Sequence, residues 1–231
     1  VHLKSFIKRS RPLSKAKKAL LEGTLPKFEI KLDTVATLIS KYEVINLEIG
    51  FGKGDFLAAL SLAPIGYISP RIREDDEGGR APANKQPLNI GCEPYIEGIA
   101  NLLKLIKAND IKNIRIWPDD ARLLLESLPD RSLDTVYILF PDPWPKRKQQ
   151  KRRLISPQFV TLLSKKLKPN GTVFLATDHH DYATWSWHHF EPTFLREDLS
   201  HSSSSLFGLT SYHKKNLEGK DIKVFKFQLK A

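Results

Sequence analysis

The apolar positions of this chain fall into short unbroken runs, separated by longer stretches in which they recur every three or four residues. The runs are Val44 to Ile49, Leu88 to Cys92, Ile114 to Trp117, Leu133 to Phe140 and Thr172 to Ala176. A strand apolar at every position is buried on both faces, as in a parallel sheet covered by helices. Between the runs, Ile96, Ile99, Leu102, Leu103 and Ile106 share one helix face, as do Leu123, Leu124 and Leu128, and again Phe159, Leu162, Leu163 and Leu167. Strand and helix therefore alternate, which predicts an α/β fold. Ser156 followed by Pro157 predicts where the last of these helices starts. The turn Lys168-Pro169-Asn170-Gly171 predicts its end, because Asn and Gly accept left-handed backbone and Pro cannot continue a helix. Ile222 to Leu229 has strand composition, but its apolar positions change phase between Val224 and Phe225. Either a bulge or burial of both faces is expected there.

Three segments escape the alternation. Residues 1–31 hold nine Lys or Arg against two Glu and read as a basic arm, too polar to pack before Leu20. Residues 64–88 carry four prolines, three glycines and the acidic patch Glu74 to Glu77, the signature of a long inserted loop. The run Ser202 to Ser205 breaks the pattern once more before the last strand.

With 231 residues and 41% apolar side chains, the chain can bury one substantial core, so 1–231 is read as a single domain. Lys and Arg outnumber Asp and Glu by 37 to 26, a formal charge of +11, which suits a polyanionic partner: nucleic acid or an anionic membrane. No apolar stretch is long enough to cross a bilayer and no signal-peptide core opens the sequence, so a cytoplasmic protein without membrane attachment is expected. The one cysteine, Cys92, sits inside an apolar run and reads as buried filler. His179, His180, His188 and His189 form two adjacent pairs with no cysteine companion. Neighbouring residues cannot readily aim at one metal, so none is expected.

The candidate chemistry gathers at the ends of the predicted strands. Leu47-Glu48-Ile49-Gly50-Phe51-Gly52-Lys53-Gly54 leads from a strand into a helix, and Gly50, Gly52 and Gly54 would let a ligand approach the backbone. A dinucleotide fingerprint would want its third glycine one place later, at Asp55, which favours S-adenosylmethionine over a nicotinamide cofactor. Glu93 ends the second strand, where a carboxylate can receive two ribose hydroxyls. Asp119 and Asp120 end the third; one can accept from an adenine amino group while the other caps the next helix, and Asp120 is assigned to the cofactor. Phe140-Pro141-Asp142-Pro143-Trp144-Pro145-Lys146 ends the fourth, where open α/β sheets expose their ligand crevice, and its prolines impose a rigid loop. Lys146, Arg147, Lys148, Lys151, Arg152 and Arg153 place six cations in eight residues beside that crevice, a pattern suited to RNA phosphates. Asp178 ends the fifth strand, either projecting into the same crevice or capping the next helix.

Taken together, LEIGFGKG, GCEP, PDPWPK followed by KRR, ATD and the late TSY make the chain resemble the bacterial transfer RNA (guanine-N7-)-methyltransferase family. The resemblance runs from the basic arm to the last strand, and PDPWPK with KRR is its most specific part. It implies a Rossmann-like class I methyltransferase with seven strands, the last antiparallel, and helices on both faces. It implies S-adenosylmethionine as cofactor, held by Glu48, Glu93, Asp120 and Asp142, and tRNA as partner, contacted by Lys146, Asp178 and residues Thr210, Tyr212 and His213. The product would be 7-methylguanine in the variable loop, with no obligate protein partner. Two positions depart from the family pattern: Gln149 and Gln150 stand where histidine is frequent, and His213 where glutamate is common. Guanine N7 needs no deprotonation, so Asp142, between cofactor and base, and Asp178, on the purine N1 and N2 donors, are the expected catalytic groups. An RNA-binding protein without activity, a methyltransferase acting on another RNA atom and a nicotinamide-dependent oxidoreductase are the competing readings.

Overall fold

The computed structural model describes residues 12–63, 86–200 and 221–230. Its centre is a seven-stranded sheet made of β1 (Ile45–Ile49), β2 (Leu88–Cys92), β3 (Ile114–Trp117), β4 (Leu133–Leu139), β5 (Leu167–Thr177), β6 (Phe194–Asp198) and β7 (Lys223–Leu229). The strands lie in the order β3-β2-β1-β4-β5-β7-β6. The first five pair in parallel and β7 runs antiparallel to both of its neighbours. Around the sheet lie α1 (Lys15–Gly23), α2 (Leu25–Phe28), α3 (Val35–Ile39), α4 (Asp55–Leu62), α5 (Ile96–Ala108), α6 (Ala121–Ser127), α7 (Pro157–Lys166) and α8 (His180–Phe190). The five apolar runs and the three helical repeats each found their element.

Successive side chains of a strand point to opposite faces, and the core divides accordingly. On one face Leu47, Ile90, Val136, Ile138, Val173 and Leu175 pack against α3, α6, α7 and α8. On the other, Ile116, Tyr137, Leu139, Phe174 and Ala176 meet α4 and α5, with Leu20, Leu21, Leu25 and Phe28 of α1 and α2 against them. The phase change in β7 belongs to this division: Val224 joins the second cluster while Phe225 and Phe227 join the first. The pairing of β7 with β5 runs without a break, so burial of both faces explains the pattern and no bulge is needed.

Two boundaries differ from expectation. The basic arm is already helical from Lys15, with Ser14 accepting from Lys17 N and Lys17 Nζ bonded to Glu97 Oε1 of α5 at 2.8 Å. Leu20 is nonetheless the first side chain to reach the core, and Ile30 N closes the segment onto Ile116 O at 2.8 Å. The turn at 168–171 does end α7, but β5 has by then begun to pair: Leu167 faces Leu133 and Thr172 faces Thr135. The intervening residues loop out, and it is Asn170, at φ 61°, rather than Gly171, that takes the left-handed backbone. The start of α7 is as predicted, with Ser156 Oγ accepting from Phe159 N at 3.3 Å and Pro157 in the first turn. Residues 1–11, 64–85 and the serine run lie outside the described residues, as do Thr210, Tyr212 and His213. Among the described residues no helix is long and apolar enough to cross a membrane.

Candidate active site

Neighbours β1 and β4 lie where the strand order reverses, so the loops after them diverge and open a crevice at the carboxyl ends of the strands. A cavity of about 300 Å³ occupies it. Ile49 and Gly50 follow β1 into its wall, Cys92, Glu93, Pro94 and Tyr95 follow β2, Asp119, Asp120 and Ala121 follow β3, and Leu139 to Asp142 follow β4, with Leu154 closing one side. Glu93, Asp119, Asp120 and Asp142 line it and, among the described residues, no Lys or Arg does. Such a lining suits a ligand carrying positive charge and hydroxyl or amino donors; it offers no counter-charge to a pyrophosphate.

The glycine loop is shaped for close approach. Gly50 and Gly52 have φ of 77° and 55°, and a Cβ on either would meet nothing within 4 Å, so their surfaces are open to a ligand. Gly54, at φ 82°, caps α4, and a Cβ there would strike Leu102. Glu93 fixes the loop: Gly52 N donates to its Oε2 at 2.8 Å and Tyr95 N to its Oε1 at 2.9 Å. Each carboxylate oxygen has two lone pairs, so these bonds leave acceptor capacity for a ligand. Glu48, only 2% exposed, sits in β1 behind the loop, and its Oε2 has no hydrogen-bond partner among the described residues. An ammonium or backbone donor of a bound ligand would complement it. Open glycines, an acidic lining and an unpaired buried carboxylate oxygen all fit S-adenosylmethionine.

Burial is the first cause of the unusual acidity here. It pushes Glu48 up to about 8, with repulsion from Glu93 and Asp55 adding to it. It pushes Glu93 up to about 7, against the lowering effect of the Tyr95 and Gly52 amides and with repulsion from Asp142. The carboxyl of Asp142, at the cleft mouth, is raised by partial enclosure. Glu48 and Glu93 both lie above the ordinary 4.5, so between that value and their folded pKa the native state binds more protons than the unfolded chain. Their contribution to stability is full below the unfolded pKa and is lost as pH rises through the folded ones. Asp130 and Asp198, held below the usual carboxylate range, chiefly by bonds from Lys166 and Ser200, titrate outside this window. The melting temperature of the ligand-free protein is therefore expected to fall between about pH 4.5 and about pH 8; calorimetric scans giving a flat or rising value would contradict this.

The two aspartates after β3 divide their work differently from the sequence assignment. Asp120, not Asp119, is the cap of α6: its Oδ1 accepts from Arg122 N at 3.0 Å, and its Oδ2 from Arg122 Nη2 at 2.5 Å. Asp119 Oδ1 accepts from Asp120 N at 2.9 Å, and both carboxylates border the cleft. The assignment of Asp120 to cofactor alone thus misses its cap and its ion pair with Arg122.

The loop after β4 is strained. Phe140 and Trp144 have φ of 52° and 42°, a region bulky residues rarely enter, at a cost of about 1–3 kcal/mol each. Asp142 lies between them, exposed toward the cleft. Beyond it, Arg147–Arg152 winds into a 3₁₀ turn with Lys146, Arg147, Lys148 and Lys151 exposed and Arg152 half-buried over the Trp144 ring at 5.3 Å. Asp178 follows β5, half-buried, and is not among the described residues that line the cavity. His179, not Asp178, caps α8, its Nδ1 accepting from Tyr182 N at 3.3 Å.

Arg153 requires a correction. Expected on the RNA face, it is 3% exposed: its Nε donates to Pro143 O at 2.9 Å, its Nη2 is paired with Asp181, and its guanidinium lies over the rings of Tyr182 and Trp185. A phosphate cannot reach it there. Tyr95 and Leu154 line the cleft without having been singled out; their adjacency to Glu93 and to the basic run was the available signal.

Comparison with known proteins follows the same lines. The family model "Putative methyltransferase" matches residues 79–225. The tRNA (guanine-N(7)-)-methyltransferase of Wolbachia pipientis wMel is 36% identical over 219 residues, covering 93% of this chain and 86% of that protein. The protein of the same name from Hyphomonas neptunium is 40% identical over 178 residues, covering 75% and 72%. Among solved structures, the 16S rRNA methyltransferase KamB superposes with a TM-score of 0.55 at 12% identity, over 86% of this chain and 94% of that one. The aminoglycoside resistance methyltransferase NpmB1 gives 0.53 at 12% identity, over 87% and 94%. At that identity the likeness is one of fold.

Proposed function

The chain belongs to the tRNA (guanine-N7-)-methyltransferase family, and from that premise we propose that its cleft carries out methyl transfer to a guanine of the tRNA variable loop. It is an S-adenosylmethionine-dependent enzyme. The observation that carries the assignment of the site is the meeting of opposite charges at the carboxyl ends of the strands. A cavity whose charged lining, among the described residues, is made of carboxylates adjoins a turn carrying exposed cations. The first suits a sulfonium cofactor, the second an RNA backbone.

In this reading Gly50, Gly52 and Gly54 shape the cofactor's seat. Glu48 complements its amino acid end, Glu93 its ribose, and Asp119 with Asp120 border its adenine. S-adenosylmethionine, when bound, would supply a methyl carbon made electrophilic by its sulfonium; the in-plane lone pair of guanine N7 could take it without prior loss of a proton, the carbon–sulfur bond breaking and the neutral thioether leaving. No residue is needed as a strong base, and the chain's task is alignment, which can be worth roughly 7–11 kcal/mol of barrier. Asp142 stands between cofactor and base. Asp178 accepts from the purine N1 and N2 donors, which strengthen as the purine becomes cationic. Lys146 and Arg152 hold phosphates, and Thr210, Tyr212 and His213 complete the RNA contacts. A metal has no part in this scheme, and a cytoplasmic site of action follows from the substrate.

The test is chemical. Unmodified tRNA incubated with protein and S-adenosylmethionine, then digested to nucleosides, is expected to yield 7-methylguanosine in the mass spectrum. A different methylated nucleoside would move the target atom, and cofactor-independent RNA binding without any product would overturn the enzymatic role.

A further inference from the structure

The two carboxylates named above stand on separate loops, Asp142 on the one after β4 and Asp178 on the one between β5 and α8. One buried side chain, Arg153, bridges those two loops directly. Arg153 donates from Nε to Pro143 O, one residue from Asp142, and pairs through Nη2 with Asp181, three residues from Asp178. Its guanidinium lies 5.4 Å from the Tyr182 ring centroid and 4.8 Å from that of Trp185. The chain that follows is stitched to the same helix. Ile155 N donates to Tyr182 Oη at 3.4 Å, and Trp185 Nε1 donates to Ile155 O at 2.8 Å. Between these anchors Leu154 forms part of the cleft wall.

We propose that Arg153 is a positioning residue: it latches the Pro141–Pro145 loop to the first turn of α8 and so fixes Asp142 relative to Asp178. Two arguments support a latch over a stabilising ion pair. A buried arginine is expensive to desolvate, and its Nη1 has no hydrogen-bond partner among the described residues, so little net stability is gained from it. The loop it grips is the strained one, and Pro143 O lies between the left-handed Phe140 and Trp144. Released from Pro143 O, that backbone would relax toward ordinary φ values and carry Asp142 with it. Arg153 is thus separate in purpose from Arg152, its exposed-side neighbour, although the sequence presents them as one cationic run. The effect on catalysis rests on the functional reading given above; the mechanical role does not.

The test compares Arg153→Lys, Asp181→Asn and Arg152→Ala in the full chain. A lysine keeps the charge but cannot span Pro143 O and Asp181 together. R153K is therefore expected to lower kcat by roughly 100-fold, with KM for tRNA within about threefold and the salt dependence of tRNA binding unchanged. Hydrogen exchange of the Phe140 amide, which donates to Ala176 O at 2.8 Å, and of the Asp142, Trp144 and Lys146 amides should quicken by about tenfold or more. D181N, at a carboxylate 60% exposed, should shift both readouts in the same direction by a smaller factor. R152A should instead weaken tRNA binding and flatten its salt dependence. Wild-type kcat and exchange in R153K would overturn the proposal, as would unchanged kcat with weaker, less salt-dependent binding, the mark of a phosphate contact. If R153K does not fold, D181N decides alone, and wild-type values there overturn it. If the unaltered protein methylates no tRNA, the functional reading has failed, and the exchange rates still judge the latch.

Discussion

Asp178→Asn is expected to slow single-turnover methyl transfer by roughly 10²- to 10³-fold while tRNA affinity stays within about threefold. The substitution keeps size and one acceptor oxygen but removes the charge. In the ground state a neutral guanine loses only one of several contacts, so binding changes little. As N7 is alkylated the purine becomes cationic, and its N1 and N2 hydrogens become stronger donors. A carboxylate facing them gains along the reaction and an amide gains much less, which is the condition for an effect on turnover rather than on affinity. Rapid-quench measurements at saturating cofactor, with tRNA binding followed separately, read the two quantities. Equal losses in both would show that Asp178 serves binding alone.

Gly98→Ala should disable the cofactor seat from a residue outside the cavity lining. Gly98 lies in the first turn of α5, and a Cβ there would fall 2.1 Å from Gly52 O, with Glu93 Cγ at 3.4 Å. Alanine would gain about 1 kcal/mol of helix propensity, but a collision with a carbonyl cannot be relieved by a rotamer change. The neighbour it strikes is a loop already at φ 55° and bonded through Gly52 N to Glu93. The loop or the helix must move, at about 1–3 kcal/mol, and the Gly52 to Glu93 bond is the first to be lost. Affinity for S-adenosylmethionine is expected to fall about tenfold or more, with a lower melting temperature. Calorimetric titration giving wild-type affinity would show that the packing of α5 against the glycine loop is dispensable.

Much of this site is legible in the order of residues alone. Glu93 and Asp142 can be placed at the cleft because each follows an apolar run that ends abruptly, and a buried parallel strand has one end at which a carboxylate meets a ligand. The phase change at Val224 and Phe225 admits two-sided burial for the same reason. What escapes is decided by partners remote in sequence. Asp119 and Asp120 are locally indistinguishable, and only the backbone at the start of α6 makes Asp120 the cap. Arg152 and Arg153 sit side by side in one cationic run. That one is buried depends on Asp181, Tyr182 and Trp185, much further along the chain. The helicity of α1 likewise comes from docking, with Lys17 bonded to Glu97 of α5 and Leu20 and Leu21 packed against the core.

The central claim, that this crevice directs a methyl group to N7 of guanine, is most directly tested with two tRNA transcripts, one ordinary and one carrying 7-deazaguanine throughout. Each is incubated with the protein and labelled S-adenosylmethionine, and label retained in the RNA is counted. Label in the ordinary transcript alone is the predicted result; equal label in both would mean that the methyl group goes to some other atom, and would contradict the account.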